Sequence, residues 1–414
     1  MSSRPTVLLI GCGVAGPVLA LLLKQKGYHP IVFEKVAALG DAGASLMLNP
    51  NGLKVLSLVN GIPSLEHPIT TFWHGTPSGT TLVTSDLPRS YPTRYGHSAR
   101  GVKRTALNLH LKQLLLDAGI ELREGWQLNS ITENTDSVTA GFTNDQTATG
   151  TFLIGSDGIK AASRRLILQK ENPATGEGEG PPTFTGLIQV AGISRTTRES
   201  PRGRMGNYYG EGVHVIVYPV SASEVSWAVT MSQDKEMAES WQSEGAEGLQ
   251  ARKKMLEEKL AGFEDTVLEL VRDADRIISF GLFDRQELEA EQWFSKRCVL
   301  VGDAAHPTSP HLGQGANQAL EDCYHLSRLL PNVDGDSADY SLAETGLKAV
   351  FSEFARLRQP RTSALVKEAR RLGHEQRVVF GAERCRERDA RLVAAWSDPE
   401  KVFEGMDRLL KEPF

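Results

Sequence analysis

Cysteine is scarce in this chain: Cys12, Cys298, Cys323 and Cys385 are the four among 414 residues. Their scattering has neither metal-ligand nor disulfide-framework spacing, so no metal site is expected and they read as small buried hydrophobes in a reducing compartment. A basic excess is missing too. With 46 Lys and Arg against 51 Asp and Glu, the formal charge is -5, which argues against a nucleic-acid binder held by phosphate contacts. Long apolar runs are also lacking. Residues 7–23 carry no charge and follow Arg4, as in a secretory signal or anchor. A membrane helix needs roughly 20 residues, and Gly11, Gly13, Gly16 and Pro17 interrupt this stretch. The expectation is a soluble, cytoplasmic protein with no integral membrane segment, a monomer or homodimer.

What remains is an ordinary globular composition, 40% hydrophobic and 23% charged, in a chain long enough for two structural parts. Residues 6–10 form a short apolar run, 17–26 have helical periodicity ending at Gly27, and 30–34 read as a second strand. Together they make a βαβ unit. Residues 107–118 predict an amphipathic helix closed by Gly119, and 151–155 another apolar strand ending in Gly-Ser-Asp-Gly. Residues 169–183 are polar and rich in Gly and Pro, the signature of a loop. From Phe184 to Val229 the texture is β, and 212–220 alternate, with Val213, Val215 and Val217 on one face and His214, Ile216 and Tyr218 on the other. Residues 239–272 read as helical and charged, and the chain after Leu342 as mostly helix without recognisable chemistry. Between them, 298–317 (CVLVGDAAHPTSPHLGQGAN) read as a buried strand, a turn broken by Pro and Gly, and a helix from Gln314. The order βαβ, β-rich insert and return to βα predicts an open parallel sheet with a second sheet inserted.

Gly11-Cys-Gly13-Val14-Ala15-Gly16 follows a strand and opens a helix. The first two glycines allow a tight turn beside a pyrophosphate, and the third lets helix and strand pack closely. Glu34, at the end of the second strand, can accept hydrogen bonds from a ribose, with Lys35 beside it. A structural Gly-rich turn is the alternative, and the motif alone does not separate FAD from NAD. Val102-Lys-Arg104-Thr-Ala-Leu107 places an arginine at a helix start, where, taken alone, a solvated arginine is the favoured reading. Gly155-Ser-Asp157-Gly158 also fits an ordinary turn.

These pieces, in this order and spacing, resemble the class A FAD-dependent aromatic hydroxylases, a group that includes para-hydroxybenzoate hydroxylase, salicylate hydroxylase and 6-hydroxynicotinate 3-monooxygenase. GASLMLNPNG, Tyr218-Pro219 and Phe283-Asp284 with Trp293 add to the likeness, which covers about residues 5 to 370. The resemblance implies an α/β protein: a Rossmann-like FAD-binding domain of the GR2 type, an inserted β-sheet substrate domain and C-terminal helices. The FAD-binding domain would take residues 1–68, 98–168 and 280–345, the substrate domain 69–97 and 169–279, and the C-terminal helical region 346–414. Gly11, Gly13, Val14, Ala15, Gly16, Glu34 and Lys35 would hold the ADP half of FAD. Arg104 would lie near the pyrophosphate and ribityl chain, and Asp157 would belong to the DG motif shared with the nicotinamide donor. Asp303 would meet the ribityl hydroxyls, Pro310 the flavin, and Gly313, Gln314, Gly315, Ala316 and Asn317 its pyrimidine edge. His306 reads as structural. Two departures stand out: Ala161 replaces the serine of the family's DGxxS, and its proline after the pre-strand acidic residue is absent from DRQELEAEQW.

The implied reaction is hydroxylation of a small aromatic compound, phenolic or benzoate-type and open to a decarboxylating variant. NADH or NADPH would drive it, O2 would be the co-substrate, and a C4a-hydroperoxyflavin would be the oxygenating species. An epoxidase of secondary metabolism and a flavin reductase without oxygen chemistry are the rival readings. His214 and Tyr218 share a strand face about 13 Å apart by strand rise. They are taken as substrate-activating base and hydrogen-bonding partner, with a structural histidine as the alternative. Tyr209, Arg94 and Tyr95 are further substrate-binding candidates; Arg94 could meet a carboxylate, although a surface salt bridge is the more ordinary use of such an arginine.

Overall fold

The computed structural model describes residues 4–38, 45–63, 67–171, 179–195, 203–236, 245–333 and 342–414. Its nucleotide-type part is a parallel sheet in the order Cys298–Leu300, Phe152–Gly155, Thr6–Ile10, His29–Glu34, Glu121–Glu124. These strands are apolar along nearly their whole length because helices cover them, as parallel sheets require. Val7, Leu8, Leu9, Phe152, Leu153, Val299 and Leu300 are all fully buried. Ile10 pairs with both Phe33 and Gly155, and Gly155 pairs with Leu300. The carboxyl ends therefore line up, and Gly11, Glu34, Asp157 and Asp303 emerge along one edge. In open α/β sheets that edge is where ligands bind.

The inserted part is a seven-stranded sheet whose strands come from 71–85 and 183–284. Alternation along Val213–Pro219 splits it into two faces. Val213 and Val215 join Trp227, Val229 and Met231 in a core against the helices Ala246–Lys259 and Asp265–Arg272. His214, Ile216 and Tyr218 look the other way, toward the parallel-sheet part. A two-stranded clamp, Ser45–Leu48 with Arg100–Lys103, joins the two parts: Ser45 Oγ lies 2.6 Å from Tyr218 Oη and 2.5 Å from Ser226 Oγ.

The C-terminal region runs through the helix Glu344–Leu372, a π-helical turn Gly373–Arg377, and the helices Ala382–Trp396 and Pro399–Leu410. The first helix buries Leu347, Phe351 and Phe354 against the parallel-sheet part, and the turn then carries the chain beneath the inserted sheet. The expected 169–183 loop is partly helix, since Ala162–Glu171 extends into it, and its residues 172–178 lie outside those described. Of the helical stretch expected at 239–272, residues 239–244 likewise lie outside. Cys12, Cys298 and Cys323 are buried free thiols, and Cys385 is half-buried. Among the described residues no helix is long and apolar enough to cross a membrane.

Candidate functional site

The glycine loop is shaped to receive a pyrophosphate. Gly11 has φ +109, and a Cβ there would meet Ser156 O at 2.5 Å. A Cβ on Gly16 would meet Gly11 O at 2.0 Å, so only glycine permits this helix–strand approach. A Cβ on Gly13, by contrast, would find no atom within 4 Å: the backbone there faces open space. Val14 is the N-cap of the helix Ala15–Gln25, whose first turn is free of capping side chains and offers its N–H groups outward. Glu34 accepts from Cys12 N at 2.7 Å and Val36 N at 3.0 Å, which fixes the carboxylate and leaves it lone pairs for hydroxyl donors. Lys35 is exposed beside it.

The end at which the sequence resemblance puts the flavin comprises three segments. Arg104 opens the helix Arg104–Asp117 and is half-buried. Asp157 accepts from Ser163 N at 3.1 Å and from its hydroxyl. Ser163 thus supplies the hydroxyl expected two positions earlier, where Ala161 stands, and a Cβ on Gly155 would strike Ser163 Oγ at 2.1 Å. The neighbouring Arg164 ties the motif to the Asp303 turn through Ala305 O, at 2.9 Å. Gly313, at φ +60, ends the turn Pro310–Leu312, and the helix Gly315–Leu329 starts without a side-chain cap. The half-buried Asp303 lies beside that start, 3.8 Å from a Cβ added to Gly315. Pro310 is exposed and Ala316 half-buried. Ser309 Oγ and Gln314 Nε2, flanking the turn, are buried and have no protein partner. Orphaned polar atoms beside an uncapped helix start and an open glycine backbone fit FAD. The Asn317 side-chain amide is committed to Met47 O, Gly313 O and Asn49 N, so it sets the shape of the turn whose backbone is the expected flavin contact.

Beneath this helix lies a charge network that sequence reading missed. Arg358, 1% exposed, reaches Asp322 at 2.7 Å and Glu321 at 2.6 Å, and Arg361 reaches Glu321 at 2.8 Å. His306 lies 2.6 Å from Asp322, whose other bond is to Gly302 N at 2.8 Å. Burial alone would raise the Asp322 carboxyl, but His306 and Arg358 overrule it and hold it well below the usual carboxylate range.

On the inserted sheet the face bearing His214 also carries Asn207 and Tyr209, the cross-strand partners of Ile216 and His214, and His74, the partner of Asn207. Arg377, from the π-helical turn, gathers them. Its Nη1 lies 2.8 Å from Tyr209 Oη, 2.9 Å from His214 Nε2 and 3.1 Å from Asn207 Oδ1, and its Nη2 donates to His311 O at 3.3 Å. Tyr209 Oη lies 3.0 Å from His74 Nδ1. His214 Nε2 also lies 3.1 Å from Asn207 Oδ1, so it stands between a guanidinium that donates and an amide oxygen that accepts. Desolvation, then the Arg377 charge, pushes His214 well below its ordinary value, and the same two causes bring His74 and His311 down to about 3.

His214 and Tyr209 are therefore brought together, whereas Tyr218 is not part of this group. Its hydroxyl bonds to Ser45, and its phenol is raised by burial against the Ser45 and Ser226 bonds. Arg94 and Tyr95 both turn to Asp407, at 2.7 Å and 2.6 Å. Asn207 and His74 were open to discovery from strand alternation, and His311 from its place in PHLGQG. Arg377 carried no such signal: it follows Arg370 and Arg371 on what reads as a solvated helix.

Comparison with known proteins agrees with this geometry. Residues 4–348 match the FAD binding domain family. The chain is 29% identical over 401 residues, 95% of its length and 92% of the relative's, to 3-amino-4-hydroxybenzoate 2-monooxygenase of Streptomyces cremeus. It is 26% identical over 339 residues, 80% of its length and 83% of the relative's, to 6-hydroxynicotinate 3-monooxygenase of Bordetella bronchiseptica. The crystal structure of Klebsiella pneumoniae HpxO complexed with FAD and uric acid has the same fold, with a TM-score of 0.79 at 23% identity over 100% of this chain and 98% of that one. The chain belongs to the FAD binding domain family, as an FAD-dependent monooxygenase of the aromatic hydroxylase type.

Proposed function

We propose that this enzyme hydroxylates a small aromatic acid bearing a ring hydroxyl or amino group, with NADH or NADPH as reductant and O2 as oxygen source. The substrates in the names of its relatives, an aminohydroxybenzoate and a hydroxynicotinate, support that class. One observation carries the reading: a single face of the inserted sheet turns His214, Tyr209 and Asn207 toward the Pro310–Leu312 turn, and Arg377 bridges the two. FAD, when bound, supplies the redox and oxygen-activating chemistry. The chain's residues hold and orient the ring and keep water out. Ile216, opposite Ala228, gives an apolar floor between His214 and Tyr218 on which a ring can lie. His214 is the acceptor for the substrate's ring-hydroxyl proton and Tyr218 a hydrogen-bonding partner, with Tyr209 beside the ring. Burial, and after it the Arg377 charge, lowers His214 below its ordinary value, whereas a useful base needs a pKa near the working pH.

The test is a screen of hydroxy- and aminobenzoates on the FAD-loaded enzyme. An active compound should accelerate NAD(P)H oxidation, consume O2 and give a product one oxygen heavier; carbon dioxide release would identify the decarboxylating variant. His214→Ala should lose hydroxylation and keep FAD. Acceleration by no aromatic compound, with no O2 consumed, would sink the proposal.

A further inference from the structure

Arg377 is 9% exposed, and every partner it has among the described residues is neutral: Asn207, Tyr209, His214 and the His311 carbonyl. No ion pair compensates it there. A buried guanidinium without a counter-ion costs several kcal/mol unless something neutralises it. The neighbours do not relieve the imbalance. Three histidines (His74, His214 and His311) surround it, while the nearby Arg388 is already paired with Asp389 at 2.9 Å. The side chain is also held in place rather than free to swing into water. It spans from the inserted sheet to the turn expected over the flavin, and it projects from a π-helical turn, an irregularity found often at functional sites.

We propose that Arg377 is the receptor for the carboxylate of the aromatic substrate, an inference that rests on the hydroxylase reading above. A carboxylate is ionised at neutral pH, since its ordinary pKa is about 4, whereas a phenol near 10 is not. Of a substrate's two acidic groups, the carboxylate brings the missing charge without first giving up a proton. It also matches the planar fork of the guanidinium, which can re-aim its N–H groups from neutral acceptors to two charged oxygens.

The experiment titrates FAD-loaded enzyme with 3-amino-4-hydroxybenzoate, its carboxamide and its carboxyl-free counterpart 2-aminophenol, following the flavin absorbance. Wild type should bind the acid about 100-fold more tightly than either neutral compound, the range of a charge-assisted pair. Arg377→Met should lose about that factor for the acid and leave 2-aminophenol within about twofold, while Arg377→Lys falls between. Asn207→Asp, placing a carboxylate where Oδ1 is 3.1 Å from Nη1, should supply an internal counter-ion and weaken acid binding about tenfold or more with Arg377 intact. Undiminished acid affinity in Arg377→Met overturns the proposal. So does an equal loss for acid and aminophenol, which would move the arginine's role to the ring hydroxyl or the cofactor. If no aromatic compound of the wider screen drives NAD(P)H oxidation or consumes O2, the hydroxylase reading fails with it.

Discussion

Two buried arginines, Arg358 and Arg377, are held in opposite ways. Arg358 meets two carboxylates, with Arg361 and His306 completing a network in which charges of both signs alternate. Arg377 meets an amide, a phenol, an imidazole and a carbonyl. Both are fixed by several hydrogen bonds, so rigidity does not distinguish them. Charge balance does. The balanced centre stands under the helix Gly315–Leu329 and pins it to the strand end at Gly302. It has no charge left for a ligand and serves the shape of the cofactor cradle. The unbalanced centre has no carboxylate partner among the described residues, and the proposed anion contact rests on that difference.

The largest expected effect separates them by stability. Arg358→Met leaves Glu321 and Asp322 buried with reduced compensation and should cost about 3–5 kcal/mol. Arg377→Met removes an uncompensated charge and should leave stability unchanged or raise it by about 1–2 kcal/mol. Urea unfolding of both variants measures the difference, and a comparable loss in the two would erase the distinction.

Acid should separate them next. His74 and His311 have folded pKa values of about 3, and His214 is also held well below its ordinary value. Their unfolded forms bind protons below about 6.5. Stability from these groups is therefore complete above about pH 6.5 and is lost as pH falls toward 3. Asp322 and Glu321 are depressed carboxyls, so their contribution is complete above about pH 4 and is lost only below it. Unfolding free energy measured from pH 7 down should thus decline in two stages. His74→Gln should flatten the upper stage and Asp322→Asn the lower one. A curve level between pH 7 and 5 would break the assignment.

What was legible in the sequence follows the same division. The glycine loop, Glu34 and the Asp303 turn lie where strands end and helices begin, and short-range chemistry dictates both the turn and its ligand. The strand face of His214 was legible because alternation has a period of two. Asp322 and Glu321 were not, because they sit inside a helix where an acid ordinarily faces water, and only the arrival of Arg358 from 36 positions along the chain makes burial tolerable. Arg377 reaches its partners across 163 positions or more on the sheet. No local pattern encodes such a meeting. Ser163 shows the intermediate case: the expected hydroxyl was missing at Ala161, yet two positions on another hydroxyl reaches the same carboxylate.

The smallest expected effect belongs to Arg94, the arginine that sequence reading offered for the substrate carboxylate. Its guanidinium holds Asp407 in a two-pronged contact, and Tyr95 donates to the same carboxylate, joining the helix Tyr91–Tyr95 to the helix Pro399–Leu410. The Arg94 side chain is 43% exposed, so water replaces whatever partner it loses. A substrate carboxylate would have to displace Asp407, an equal charge already in place, and would gain little by doing so. Arg94→Ala should therefore leave acid affinity within about twofold of wild type, where an arginine bound to the ligand would lose tenfold or more, and change stability little. A tenfold loss of acid binding in Arg94→Ala, alongside none in Arg377→Met, would exchange the two roles. It would also mean that the exposed charge, and not the buried and unbalanced one, does the recognising.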